Sequence, residues 1–244
     1  MPPPPVASKR KRIYMKDIMH TFQGLTEDAY RFFWEIAFQN EHSFFEENRK
    51  RYEKSVKEPM LALADALGEA ALEVDPNFNV RPSSVVSRIR RDTRYTKDKS
   101  PYRDHAFLSF KYPGAATGES FVLYAEFERT AYGYGMGMYY PLPQFMADAR
   151  KRMLAQPQKF LEIVNNAAFV ERFRWQGEEF KRPRFQDAPV AIRPWLNKRS
   201  MSFCFSSPEL KNTMKPELAE EIQEGFRLLK PLYRFLLGLD EKQQ

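Results

Sequence analysis

The hydrophobic repeat of this chain changes period after Asp75-Pro76-Asn77, and that switch restricts the folds open to it. Before the turn, apolar residues recur at helical spacing. Tyr30, Phe33, Trp34 and Ala37 follow i, i+3, i+4, i+7, with Thr26 placed to cap a helix over Leu25 to Asn40. Ser43 and Glu46 have capping-box spacing, and two helices over about 44–57 and 60–73 are expected, with a kink or break at Pro59. After the turn the repeat is two: SSVVSRIRR, Ala106 to Tyr112, Phe121 to Glu128 and Ala131 to Tyr140 read as strands of an antiparallel run. Helical spacing returns after Pro143 and Pro157, a strand or loop is expected at Phe169 to Trp175, and a basic, Pro-rich passage covers Gly177 to Pro194. A last helix from Pro216 carries the stripe Leu218, Ile222, Phe226, Leu229, Leu232 and Leu236, with a bend expected at Pro231. Helices, strands, then helices imply an α+β fold in which helices from both terminal thirds cover an antiparallel sheet. Residues 22–240 are read as a single domain, and residues 1–21, with four prolines and KRKR at Lys9 to Arg12, as a flexible basic tail.

Composition excludes several classes. No apolar run approaches the roughly 20 residues of a membrane helix, and the start lacks the apolar stretch of a signal peptide. One cysteine, Cys204 in MSFCF, excludes an internal disulfide and reads as a buried small apolar residue; a reducing, cytoplasmic setting is expected. No zinc or redox cysteine pair, P-loop, dinucleotide fingerprint or nucleophile elbow occurs. His20, His42 and His105 are too scattered for a metal motif, so no metal site is predicted; the cofactor is unknown from the sequence.

The chemistry concentrates in one segment. From Arg81 to Arg103 there are eight basic and two acidic residues, a surplus of six against +7 for the whole chain. Such a cluster repels itself unless acids or a bound anion sit among the cations. Arg88, Arg91, Arg94, Lys97 and Lys99 are therefore the candidates to hold a small anionic, phosphorylated ligand. Asp92 would orient guanidinium groups, while Tyr102 and Tyr134 would shape the pocket. In a regular strand Arg88 and Arg90 share one face, and Arg91 falls on the apolar one, which predicts a bulge or strand end near Arg90. Lys181 and Arg182, with Arg184, form a second basic group that could close over the first. Asn48, Arg49 and Tyr52 lie at helix spacing and could present a polar edge, with Glu53 orienting an arginine. If the site turns over its ligand, His105 or Asp92 is the candidate acid or base. The glycines of YGYGMGM, Gly133, Gly135 and Gly137, leave one strand face without side chains, open to a packed helix or a ligand.

Two other readings stand beside this one. A pI of about 9.3 with interleaved Tyr and Arg suits nucleic-acid binding. Alternatively the cations are ion-pair staples of a structural or protein-binding module, Asp92 pairing with Arg94 or Arg88 and Asp98 with Lys97 or Lys99.

Arg88-Ile89 and the run RDTRYTKDKSPYR from Arg91 to Arg103 closely resemble the signature of a bacterial family catalogued as domain of unknown function 2461. The resemblance extends from about Phe22 to Leu237. It takes in FFEENRKRYEKSVKEP at Phe44 to Pro59, GYGMGMYYP at Gly133 to Pro141 and GEEFKRPRF at Gly177 to Phe185. The family usually carries a neutral residue at the position of Arg90 and Lys at that of Arg103, which makes Arg90 the weakest member of the proposed site. The resemblance implies an α+β domain and brings no catalytic role with it.

Overall fold

The computed structural model describes residues 21–94, 96–115, 121–138, 140 and 142–240; apart from Thr21, the expected tail lies outside them. The first helix, α1, spans Glu27–Phe38, and α2 spans His42–Tyr52. Thr26 occupies the cap position of α1 with extended backbone but makes no side-chain cap bond. At α2 the cap position falls on Glu41, and Glu46 pairs with Arg49, so the expected capping box does not form. No break occurs at Pro59. The helix runs on through a π turn, Glu53–Lys57, into α3, Glu58–Val74. Pro59 has no N–H to offer the Ser55 carbonyl four residues back, and the chain accommodates this by widening: the Glu58 N–H donates to Glu53 O, five residues back.

The expected strand SSVVSRIRR is replaced by a short helix, α4, Pro82–Val85, and an irregular limb. Pro82 suits a first helical turn and cannot donate to a ladder. Three strands follow: β1 Ala106–Phe110, β2 Val122–Phe127 and β3 Tyr132–Gly137. Next come α5 Pro143–Ala155, α6 Pro157–Val164 and α7 Ala167–Arg172, so the start of the expected strand at 169–175 is helical and only β4, Arg174–Gln176, is extended. After α8, Arg193–Leu196, the strand β5, Ser202–Ser207, and the long α9, Glu217–Leu237, complete the element order. α9 passes Pro231 without interruption.

The sheet order is β1-β2-β3-β5-β4, antiparallel throughout. Leu108, Phe110, Leu123, Phe127, Tyr132, Tyr134, Met136 and Phe203 point to one face and are buried there under α3 and α9. Phe110 meets Phe226 of α9 edge-on at 5.9 Å. Burial of each such side chain contributes about 1.5–3 kcal/mol, which is why the apolar stripe of α9 must sit on the sheet. On the glycine face of β3 the close neighbour is the backbone of β5. A Cβ at Gly135 would overlap the carbonyl oxygen of Phe203, and one at Gly133 would lie 2.6 Å from Phe205 O. The absence of side chains at these positions is what lets β5 pair so closely.

Candidate functional site

The basic segment forms a two-limbed arm along the outer edge of β1. Ser87 N–H donates to Phe107 O at 2.9 Å, Arg103 N–H to Ile89 O at 2.8 Å and Arg91 N–H to Pro101 O at 2.9 Å, with bridges Val86↔Leu108 and Arg90↔Tyr102. Asn40, in the turn between α1 and α2, clamps the arm: its amide donates to Tyr102 O at 3.0 Å and accepts from Tyr102 N–H at 2.9 Å. The Tyr102 ring, 3% exposed, stacks on Phe45 with centroids 4.5 Å apart.

The tip of the arm is closed on itself. Asp92 accepts from Arg94 Nε at 2.9 Å and its terminal nitrogen at 2.7 Å, and from the Arg94 N–H at 3.2 Å. These bonds hold the Asp92 carboxyl down to about 2. Asp98 accepts from Ser100 N–H at 2.9 Å and pairs with Arg91, not with Lys97 or Lys99; the Ser100 bond and then the guanidinium hold its carboxyl well below the usual range. Lys99 Nζ donates to Thr93 O at 2.8 Å. Arg91 and Arg94 are thus neutralised within the tip, and Asp92, saturated by Arg94, is a poor candidate base. Lys97 is exposed and forms no ion pair with a described residue.

Two arginines of the segment are disposed differently. Arg88 and Arg90, alternate residues of the first limb, face a groove of about 420 Å³ between the arm and the helical run through the π turn. Neither forms an ion pair with a described residue. The opposite wall carries His42, Glu46, Arg49, Glu53 and Lys57, and the floor is made by Phe45, Tyr52 and Tyr102. Arg49 neutralises Glu46 and lowers its carboxyl pKa, with weaker help from His42 and Arg90 across the groove. Lys57 lies 3.7 Å from Glu53. Burial, reinforced by Glu53, pushes the Tyr52 hydroxyl up to about 12. The expected polar edge of α2 is half present: Arg49 and Tyr52 line the groove, whereas Asn48 turns back to Phe44 O at 3.0 Å. Lys57, His42 as a groove residue and the clamp residue Asn40 were not singled out by sequence reasoning, in which Arg90 is the weakest member of the site. The only signal for Arg90 was its alternation with Arg88.

The other predicted residues lie elsewhere. Tyr134 is fully buried on the helix face of the sheet, its ring against Gly225 of α9 and its hydroxyl bonded by Arg172 and to Glu221 at 3.2 Å. Burial, then Glu221, raises its pKa. Lys181 and Arg182 follow β4, four strand spacings from β1, on the order of 19 Å along the sheet; the second basic group therefore does not close over the first. Cys204 is half-exposed, not buried. His105 lies on the sheet face opposite α9, its Nδ1 3.2 Å from Asp104 and its Nε2 3.6 Å from Glu126. No group of residues suited to a metal ion occurs among the described residues, and none of the described helices is long and apolar enough to cross a membrane.

A family model described as conserved hypothetical protein (DUF2461) matches residues 28–235, a span that contains the arm, the groove and every element from α2 to β5. The chain belongs to this family. No curated protein matches the chain. The basic arm and the π-turn wall that confront each other across the groove are thus both parts of the DUF2461 unit.

Proposed function

We propose that this DUF2461 protein binds a small anionic, phosphorylated ligand in the groove between the basic arm and the π-turn helix, with Arg88 and Arg90 holding the anion. The observation that carries the reading is the division of the arginines: Arg91 and Arg94 are satisfied by Asp98 and Asp92, while Arg88 and Arg90 line an open groove and form no ion pair with a described residue. Guanidinium groups of this kind offer forked donors to phosphate oxygens. A volume near 420 Å³ suits a metabolite-sized molecule, and the aromatic floor suits an apolar or ring-bearing portion of it. On the facing wall Arg49 pairs with Glu46 and Lys57 lies beside Glu53, so the excess positive charge comes from Arg88 and Arg90, and the two carboxylates would accept hydrogen bonds from ligand hydroxyl or amino groups. The same reading places the protein in the cytoplasm, where such metabolites are held and where a chain with a single cysteine needs no disulfide.

The test is a thermal-shift screen of phosphorylated metabolites, nucleotides and polycarboxylates. A ligand at 100 times its dissociation constant stabilises the native state by about 2.7 kcal/mol. The Arg88→Ala/Arg90→Ala variant is expected to lose the shift and Arg94→Ala to keep it. Retention of the full shift in the double variant refutes the groove assignment. A shift caused only by oligonucleotides, with a steep salt dependence, replaces it with nucleic-acid binding.

A further inference from the structure

The face of the sheet turned away from α9 carries a second constellation, which adjoins the groove: His105 lines a small hollow with Tyr52, Val86 and Ile89 of the groove wall, while Arg103 and Phe107 do not line the groove. Asp104 is fixed by Arg129, whose Nε lies 3.2 Å from one carboxylate oxygen, and its other oxygen lies 3.2 Å from His105 Nδ1. Arg129 is itself held by the face of Trp34, 4.8 Å from the ring centroid. With Nδ1 engaged, the orientation of the imidazole is set and Nε2 looks along the sheet toward Glu126 at 3.6 Å, beyond hydrogen-bond reach. Glu126 pairs in register with Gly133 of β3, so that strand contributes no side chain beside the carboxyl.

Arg103 completes the group. Its guanidinium lies 5.2 Å from the Phe107 ring centroid, and the His105 ring lies 6.0 Å from the same centroid, so one phenyl ring supports both. Arg103 Nε donates to Arg88 O at 3.2 Å, and Arg103 forms no ion pair with any described residue. A half-buried arginine held by one backbone carbonyl and an aromatic face, with its terminal nitrogens uncommitted, is a donor fork without an acceptor.

We propose that Arg103 and His105, supported by Phe107, form a second binding site, for an oxyanion group such as a carboxylate or phosphate, on the outer face of the sheet. The guanidinium fork takes two oxygens and His105 Nε2 meets a third atom or a proton of the ligand. The facing charges are Arg129, which offsets Asp104; Asp98, which offsets the nearby Arg91; and Glu126 and Glu128, of which Glu126 is the one beside the imidazole. Burial raises the Glu126 carboxyl pKa, which lessens its opposition to an anion.

The test follows the His105 ring signals by NMR while inorganic phosphate is added, with His105→Gln used for assignment. A saturable shift is expected in the wild-type protein and in the Arg88→Ala/Arg90→Ala variant, and its loss in Arg103→Ala. Should Arg103→Ala melt early, Arg103→Gln removes the charge while retaining a side chain over Phe107. Glu126→Gln is expected to tighten phosphate binding severalfold by removing a facing negative charge. A shift that grows linearly without saturation, that chloride reproduces at equal ionic strength, or that survives both Arg103 variants overturns the proposal. Because the probe is read at His105 in a protein lacking Arg88 and Arg90, this result is independent of the fate of the groove.

Discussion

Replacement of Asp75 by alanine removes the acceptor around which the end of α3 is tied to the sheet and to α9. Asp75 is completely buried, and one of its oxygens accepts from Tyr112 at 2.7 Å and from Tyr233 at 3.0 Å. The other accepts the N–H and the side-chain amide of Asn77 at 3.0 and 3.1 Å. The Tyr233 hydroxyl is fully buried, so losing its acceptor costs about 2–3 kcal/mol. Tyr112 is only partly buried and can turn to water, and the Asn77 turn is local, so these add about 0.5–1 kcal/mol each. The expected total is about 3–5 kcal/mol, equivalent to a fall in melting temperature of roughly 6–20 °C for a chain of this size. Tyr233→Phe leaves Asp75 with three donors and should cost about 1–2 kcal/mol, more than Tyr112→Phe. Urea unfolding of the single variants and of Asp75→Ala/Tyr233→Phe closes a double-mutant cycle. A loss below about 1 kcal/mol in Asp75→Ala, or strict additivity in the cycle, refutes the view that this carboxylate organises the two tyrosines.

Asn40→Ala should lower stability by about 1–2 kcal/mol through its two backbone bonds to Tyr102, and should speed hydrogen exchange across the arm more than in α9. Gly135→Ala places a Cβ against the Phe203 carbonyl in the middle of the sheet and should reduce stability by at least about 3 kcal/mol, read by chemical denaturation, whereas Gly114→Ala meets no atom within 4 Å and should cost only the strain of its left-handed backbone (φ 76°), about 1–2 kcal/mol. Tyr30, Tyr52 and Tyr112 have hydroxyl pKa values pushed up to about 12, chiefly by burial. Their folded pKa lies above the unfolded value of about 10, so the stability they contribute is present below pH 10 and lost as pH rises toward 12. Unfolding free energy should therefore decline in that window, and tyrosinate absorbance from these residues should appear with unfolding rather than before it.

Much of the fold was legible because period and burial are coupled locally. The stripe of α9 and the alternation of β1 to β3 each require one apolar face, and each found it. Strand β5 escaped because Cys204 is half-exposed and the strand's place depends on glycines some 70 residues earlier that let it approach β3. The helix through Pro59 escaped because a π turn, with Glu58 N–H reaching Glu53 O, absorbs the missing proline donor without ending the helix. At the site, the Asp92–Arg94 pair was legible since its partners are two residues apart, while Asp98 found Arg91 across the loop. Tyr134, expected to shape the pocket, is instead in the core, because its register with Ala125 and Phe205 turns its side of β3 toward α9.

From the residue order alone came the class of fold, the surplus of cations in one segment and the likeness to its family, because these depend on spacing along the chain. Folding determined which cations form no ion pair among the described residues. Coulomb attraction depends on separation in space, and Arg88 and Arg90 face a helix some forty residues away while Arg91 and Arg94 meet acids of their own loop.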